Sequence, residues 1–95
     1  MLTSKQRAAL KSIANSLDTI LYIGKSGVTD NVVMQADEAL LARELIKGSV
    51  QQNAPLTAKE AMDELAQATG AEPVAATGRK FVLYRPRPEN PTIRI

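Results

Sequence analysis

The chain has 95 residues, 44% of them apolar and 23% charged, with no cysteine and no histidine. That length and balance describe one globular domain rather than a disordered segment. The missing residue types exclude a disulfide framework, the usual zinc sites, and imidazole or thiol catalysis. A net charge of +2 hides a polarity: residues 1–29 and 73–95 together carry nine basic and two acidic residues, whereas residues 30–72 carry three basic and eight acidic. Such a division can fold into one basic and one acidic face, the plain alternative being charge dispersed over a solvated surface. No apolar run approaches the roughly 20 residues of a membrane span. The start runs straight into an amphipathic pattern without a signal-peptide apolar core, so a soluble cytoplasmic protein is expected.

In chain order, Thr3 and Gln6 form a capping box, and Leu10, Ile13, Ala14 and Leu17 follow at helical spacing, predicting a helix over residues 4–16. Its polar side holds Lys5, Arg7 and Lys11. Thr19 to Ile23, β-branched and aromatic up to Gly24, reads as a short strand. Thr29 or Asp30 caps a second helix running to about residue 42, with Val32, Val33, Ala36, Ala39 and Leu40 as its apolar stripe. Leu45 to Gln52 is a second strand in which Ile46 and Val50 face one way and Lys47, Ser49 and Gln51 the other. Gly48 looks like a weak point there, packing nothing and costing backbone entropy. Thr57 with Glu60 opens a third helix that Gly70 ends. Residues 72–77 form a strand whose Pro73 suits a sheet edge. A turn at Thr77-Gly78-Arg79-Lys80 then leads to a strand over Phe81–Arg85. The segment from residue 86, with Pro86, Pro88 and Pro91, is expected to be extended and partly mobile. The resulting order α-β-α-β-α-β-β predicts an α/β fold, a mixed four-stranded sheet covered by helices, as one domain over residues 1–95.

Gly24-Lys25-Ser26-Gly27, between the first strand and the second helix, carries the most chemical information. Glycines allow close backbone approach, and a following helix N-terminus favours an anion such as phosphate. A nucleotide-binding Walker loop would need a glycine five residues before Gly24, and Thr19 stands there. No nucleotide cofactor is therefore expected, nor any other cofactor or metal. The surviving precedent is a Gly-x-x-Gly loop that clamps nucleic-acid backbone, its alternative an ordinary strand-to-helix turn. Tyr22 and Tyr84 are candidates for base stacking, but on strands such residues also serve packing. The adjacent acids Asp37-Glu38 and Asp63-Glu64 point apart on helices, and nothing sets a base beside a hydroxyl, so the chain reads as no enzyme.

Beyond single motifs, the chain resembles the YhbY-like single CRM-domain family (chloroplast RNA splicing and ribosome maturation). The likeness rests on Leu2-Thr3-x-Lys5-Gln6, Ile23-Gly24-Lys25-Ser26-Gly27-Val28-Thr29, Asp37-Glu38-Ala39-Leu40 and Glu44-Leu45-Ile46-Lys47. It continues through Ala68-Thr69-Gly70-Ala71-Glu72 and Gly78-Arg79-Lys80-Phe81-Val82-Leu83-Tyr84-Arg85. It implies a fold like the C-terminal domain of translation initiation factor three, RNA binding, and association with precursors of the large ribosomal subunit. By position, Gly24, Lys25, Ser26 and Gly27 become the RNA-contacting loop. Lys5, Arg7, Lys11, Arg79, Lys80 and Arg85 are expected to widen the basic face. Gly48, where similar proteins tend to carry a β-branched residue, and Pro73 depart from the pattern. A second reading is a protein-interaction adaptor that meets a basic ribosomal protein through Asp37, Glu38, Asp63 and Glu64.

Overall fold

The structure, a computed structural model, describes residues 2–89, 91 and 93. Its elements are α1 (Ser4–Ala14), β1 (Leu21–Ile23), α2 (Asp30–Arg43), β2 (Leu45–Val50), α3 (Ala58–Thr69), β3 (Glu72–Thr77) and β4 (Lys80–Tyr84). The expected order is present, with ends moved by one to two residues where helices fray and strands outrun their partners. Each helix start has a side-chain cause. Thr3 and Thr57 each accept the amide three residues on, while Gln6 and Glu60 reach back to the cap amides, and Thr29 accepts from Val32. Gly70 closes α3 in the left-handed conformation, φ 74°, where a Cβ would be strained.

The sheet order is β1-β2-β4-β3. β1 runs parallel to β2, and β4 lies antiparallel between β2 and β3. Pro73 falls on β3, an edge strand, beside a register shift between Pro73 and Ala75, which is where a residue without an amide donor is tolerated.

Alternation along the strands builds two cores. On one face Leu21, Ile23, Ile46, Val50, Phe81 and Leu83 pack against Ala36 and Leu40 of α2 and Ala61, Met62 and Leu65 of α3. On the other, Leu45, Val74, Val82 and Tyr84 pack against Leu10 and Ala14 of α1. The sheet is thus sandwiched between α1 and the α2–α3 pair. Gly48 corrects the expectation attached to it. It stands opposite Phe81 in the β2–β4 register, and a Cβ on it would lie 2.2 Å from the Phe81 Cζ. The missing side chain is the seat of the ring, so the position is packed rather than empty.

Glu44 alone joins α2 to β2. It is fully buried, with φ at 65°. Its carbonyl accepts the Arg85 amide at 2.8 Å, and its Oε2 accepts the Arg87 amide at 3.1 Å. Burial first, and then the Glu44 carboxylate, push the Tyr84 phenol above its ordinary value. Of the expected tail, Arg87 is tied to this junction and Ile93 packs against the α1-side core. Its residues 90, 92, 94 and 95 lie outside the described residues. No helix among the described residues is long and apolar enough to cross a membrane.

Candidate nucleic-acid interface

Parallel strands end together, and in open α/β sheets ligands gather beyond those ends. Here β1 and β2 deliver residues 24–27 and 51–54 to one end of the sheet. The β3–β4 turn arrives at the same end because those strands close on β2. Backbone hydrogen bonds knit the three segments: the Gln51 amide donates to the Ile23 carbonyl, and the Val50 amide to the Arg79 carbonyl, both at 2.8 Å.

Within the glycine turn the Gly27 amide donates to the Gly24 carbonyl at 3.0 Å. Gly27 takes φ 71°, so a glycine is needed there. Gly24 lies against Gln51, whose Oε1 would be 3.2 Å from an added Cβ. Both central residues, Lys25 and Ser26, are exposed. The α2 N-terminus behind them is less open to an anion than the sequence implied. Thr29 already accepts from Val32 at 3.2 Å, and Asp30 puts a carboxylate in the first turn. Attraction for phosphate at this end therefore falls to Lys25 and its basic neighbours rather than to the helix dipole.

Of the other candidates, Arg79 and Lys80 are exposed at the hairpin end. The Lys80 Nζ crosses the sheet to donate to Thr19 Oγ1 at 2.9 Å. Lys11 reaches the same side and lines, with Asn15, Lys47, Thr77, Lys80 and Val82, a groove of about 290 Å³ between α1 and the sheet. Arg7 precedes Lys11 by four residues and shares its flank, whereas Lys5 projects from the opposite side of the helix. Lys47 lines the groove although the sequence did not single it out as a candidate. Its sequence signal was only that it faced away from Ile46. That face turns out to be the α1 side, where its Nζ donates to the Ala14 carbonyl at 3.3 Å, at the negative end of α1. A larger cleft, about 370 Å³, lies at the other end of β1 and β2 among Ile13, Leu17, Ile20, Arg43 and Leu45. It is far from the glycine turn, and Ser16, Asp18 and Lys47 also line it.

Arg85 does not join this group. Its Nη1 donates to Asp37 Oδ1 and to the Thr69 carbonyl, each at 2.7 Å, and its Nη2 donates to the Asp37 carbonyl at 3.1 Å. The guanidinium ties α2 to the end of α3, on the sheet face opposite α1. Of the acids in the adaptor reading, Asp37 is held by Arg85 and Asp63 by Lys59 at 3.0 Å, while Glu38 and Glu64 are exposed.

Strand order, glycine turn and exposed lysines define a small open-sheet α/β module whose groups suit a polyanion. Comparison with known proteins gives the family. The model of the CRS1 / YhbY (CRM) domain matches residues 2–85. The protein named "Probable RNA-binding protein YqeI" of Bacillus subtilis is 41% identical over 95 residues, covering 100% of this chain and 99% of that one. An "RNA-binding protein" of Haemophilus influenzae is 33% identical over 88 residues, covering 93% and 89%. The solution structure of hypothetical protein SAV1595 from Staphylococcus aureus superposes with a TM-score of 0.84 at 42% identity, covering 100% and 99%. The chain belongs to the CRS1/YhbY (CRM) domain family.

Proposed function

We propose that this protein is a non-enzymatic RNA-binding factor that grips RNA backbone at the Gly24–Gly27 turn and acts in large ribosomal subunit assembly in the cytoplasm. The observation that carries the reading is the arrival of Lys25, Arg79 and Lys80 from two turns at one end of the sheet, with Lys80, Lys11 and Lys47 lining one groove on the α1 side. The adjoining groove has three lysines and no carboxylate in its lining. Family membership and the names of the relatives support RNA as the polyanion. The ribosomal placement rests on the resemblance to YhbY-like proteins. Arg85, held by Asp37 and Thr69 on the opposite face of the sheet, is left out of the proposed contact set, and Lys47, which lines the groove, enters it.

Phosphate contacts of this kind release counterions, so affinity falls with salt. The five cations Lys25, Arg79, Lys80, Lys11 and Lys47 correspond to a log–log slope of about −4. Lys25→Ala removes one charge-assisted hydrogen bond and is expected to weaken binding to structured RNA by about 1–2 kcal/mol. Titrations of wild type and variant over a salt series test this. Affinity indifferent both to the substitution and to salt would sink the proposal. Crosslinking in cells followed by sequencing of the attached RNA tests the ribosomal part, which predicts recovery of large-subunit precursor RNA.

One observation favours a protein partner as a second reading. Met34 and Leu41 are 58% and 52% exposed on α2 and frame Glu38 at i, i+4, i+7 spacing. Under that reading, changing Glu38 and Leu41 together abolishes association with the subunit while RNA affinity stays unchanged.

A further inference from the structure

α1 covers only part of its face of the sheet. Leu45, Val82, Tyr84 and Val74 lie beneath it, but the end of the sheet nearest the glycine turn is bare. The β1–β2–β4–β3 register there aligns Tyr22 with Ser49, Ser49 with Lys80, and Lys80 with Thr77. This row crosses the whole sheet on the α1 side. Tyr22 is 56% exposed, whereas the chain's other aromatic residues, Phe81 and Tyr84, are 1% and 5% exposed. An aromatic left open on a short edge strand invites pairing and aggregation, and a polar residue would serve that position at no cost to either core.

The ring is also held in place. Its hydroxyl donates to the Thr19 carbonyl at 3.3 Å, while the Lys80 ammonium sits on the hydroxyl of the same Thr19 at 2.9 Å. One residue thus sets an aromatic face beside a fixed positive charge, and the lysine-lined groove continues from Lys80 toward Lys47 and Lys11. A flat π surface flanked by cations is what a nucleotide needs: a partner for the base face and counter-charge for the phosphates on either side.

We infer that Tyr22 is a stacking platform for one unpaired base of the bound RNA, with Lys80 and the groove lysines taking the flanking phosphates. The inference rests on the RNA-binding reading above and narrows its ligand. Bases inside an A-form duplex are already stacked and cannot reach a ring on a sheet face, so the platform selects a loop or bulge next to the helix that the glycine turn holds. With a single ring the preference is for an unpaired nucleotide of any identity, because every base has a π face.

The test compares two RNAs at the same salt: a hairpin with an unpaired loop, and a blunt duplex of the same stem. Fluorescence anisotropy titrations are run with wild type, Tyr22→Ala, Tyr22→Thr, Tyr22→Phe and Lys25→Ala. Loss of a base–aromatic stack is expected to weaken hairpin binding about tenfold for the alanine and threonine variants. Threonine suits an exposed strand, so its agreement with alanine separates loss of the ring from loss of the fold. Duplex affinity should stay within about twofold, and phenylalanine, which keeps the ring and loses only its bond to Thr19, should bind the hairpin more tightly than alanine or threonine does. Tyr22 variants that leave the hairpin unaffected, or weaken hairpin and duplex alike, overturn the stacking site. If instead Lys25→Ala and salt change nothing, or wild type binds neither RNA, the parent reading fails whatever Tyr22 does.

Discussion

Replacing Gly48 by alanine would place a methyl carbon 2.2 Å from Phe81 Cζ and 2.7 and 2.8 Å from Cε1 and Cε2. Carbon–carbon contact is comfortable at about 3.5–4.0 Å, so the ring must retreat by more than about 1 Å. Phe81 is 1% exposed and lies in the larger core with Ile46, Leu65 and Leu83, which leaves little room for that retreat. Overpacking of this kind costs about 1–3 kcal/mol. Against it, removing a glycine from the unfolded chain returns about 0.4–1 kcal/mol. The net expectation is a loss of about 1–2 kcal/mol, read as a fall in Tm of roughly 5–10 °C for a domain this size. Gly48→Val, ordinarily a favourable change in a strand, should lose more. The exchange of both partners, Gly48→Val with Phe81→Ile, trades the ring's volume for the new side chain and should recover most of the loss. Thermal melts of the three variants against wild type decide the matter. An alanine variant as stable as wild type, or a double variant no better than valine alone, would show that the ring does not depend on the glycine.

Arg85→Ala takes the donor from the Thr69 carbonyl and leaves the half-exposed Asp37 carboxylate to water, and is expected to cost about 1 kcal/mol in urea unfolding. Its RNA affinity should stay within twofold of wild type, and a loss like that of Lys25→Ala would return Arg85 to the interface. Thr57→Ala breaks a reciprocal capping box and should cost about 1 kcal/mol, measured by the same unfolding, with Thr57→Ser close to neutral. The raised Tyr84 phenol sets a pH dependence. Between the ordinary value of 10.0 and its higher folded value the native state holds a proton that the unfolded state has lost. Stability from this group is therefore complete below about pH 10 and declines as pH rises through the folded value. Tyr84→Phe should remove that alkaline component, visible as a shallower fall of the unfolding midpoint above about pH 10.

The parts legible in the sequence were those with local causes. Thr3 with Gln6, Thr57 with Glu60, and Gly70 each mark a helix boundary through contacts within a few residues, and the structure contains all of them. Strand positions were legible from alternation, but what each side met was not. Lys47 and Leu45 face the same side, and only the placement of α1 makes that side a core for one and a groove for the other. Tyr22 and Tyr84 look alike as strand tyrosines. The first is exposed and the second buried because β1 is an edge strand that α1 does not reach, a property of topology rather than of either neighbourhood. Arg85 looked like another surface cation because its partner Asp37 stands 48 residues away. Gly48 read as a defect for the same reason, since its counterpart belongs to a different strand.

The family model stops at residue 85, yet the fold does not. The Glu44 carboxylate, fully buried at the junction of α2 and β2, takes the Arg87 amide, and the Arg87 Nε lies 3.8 Å from its other oxygen. A chain stopped after the last strand would keep every helix and strand while withdrawing these partners from an enclosed anion. Trimming to that boundary is therefore expected to release an electrostatic latch that lies two residues beyond it.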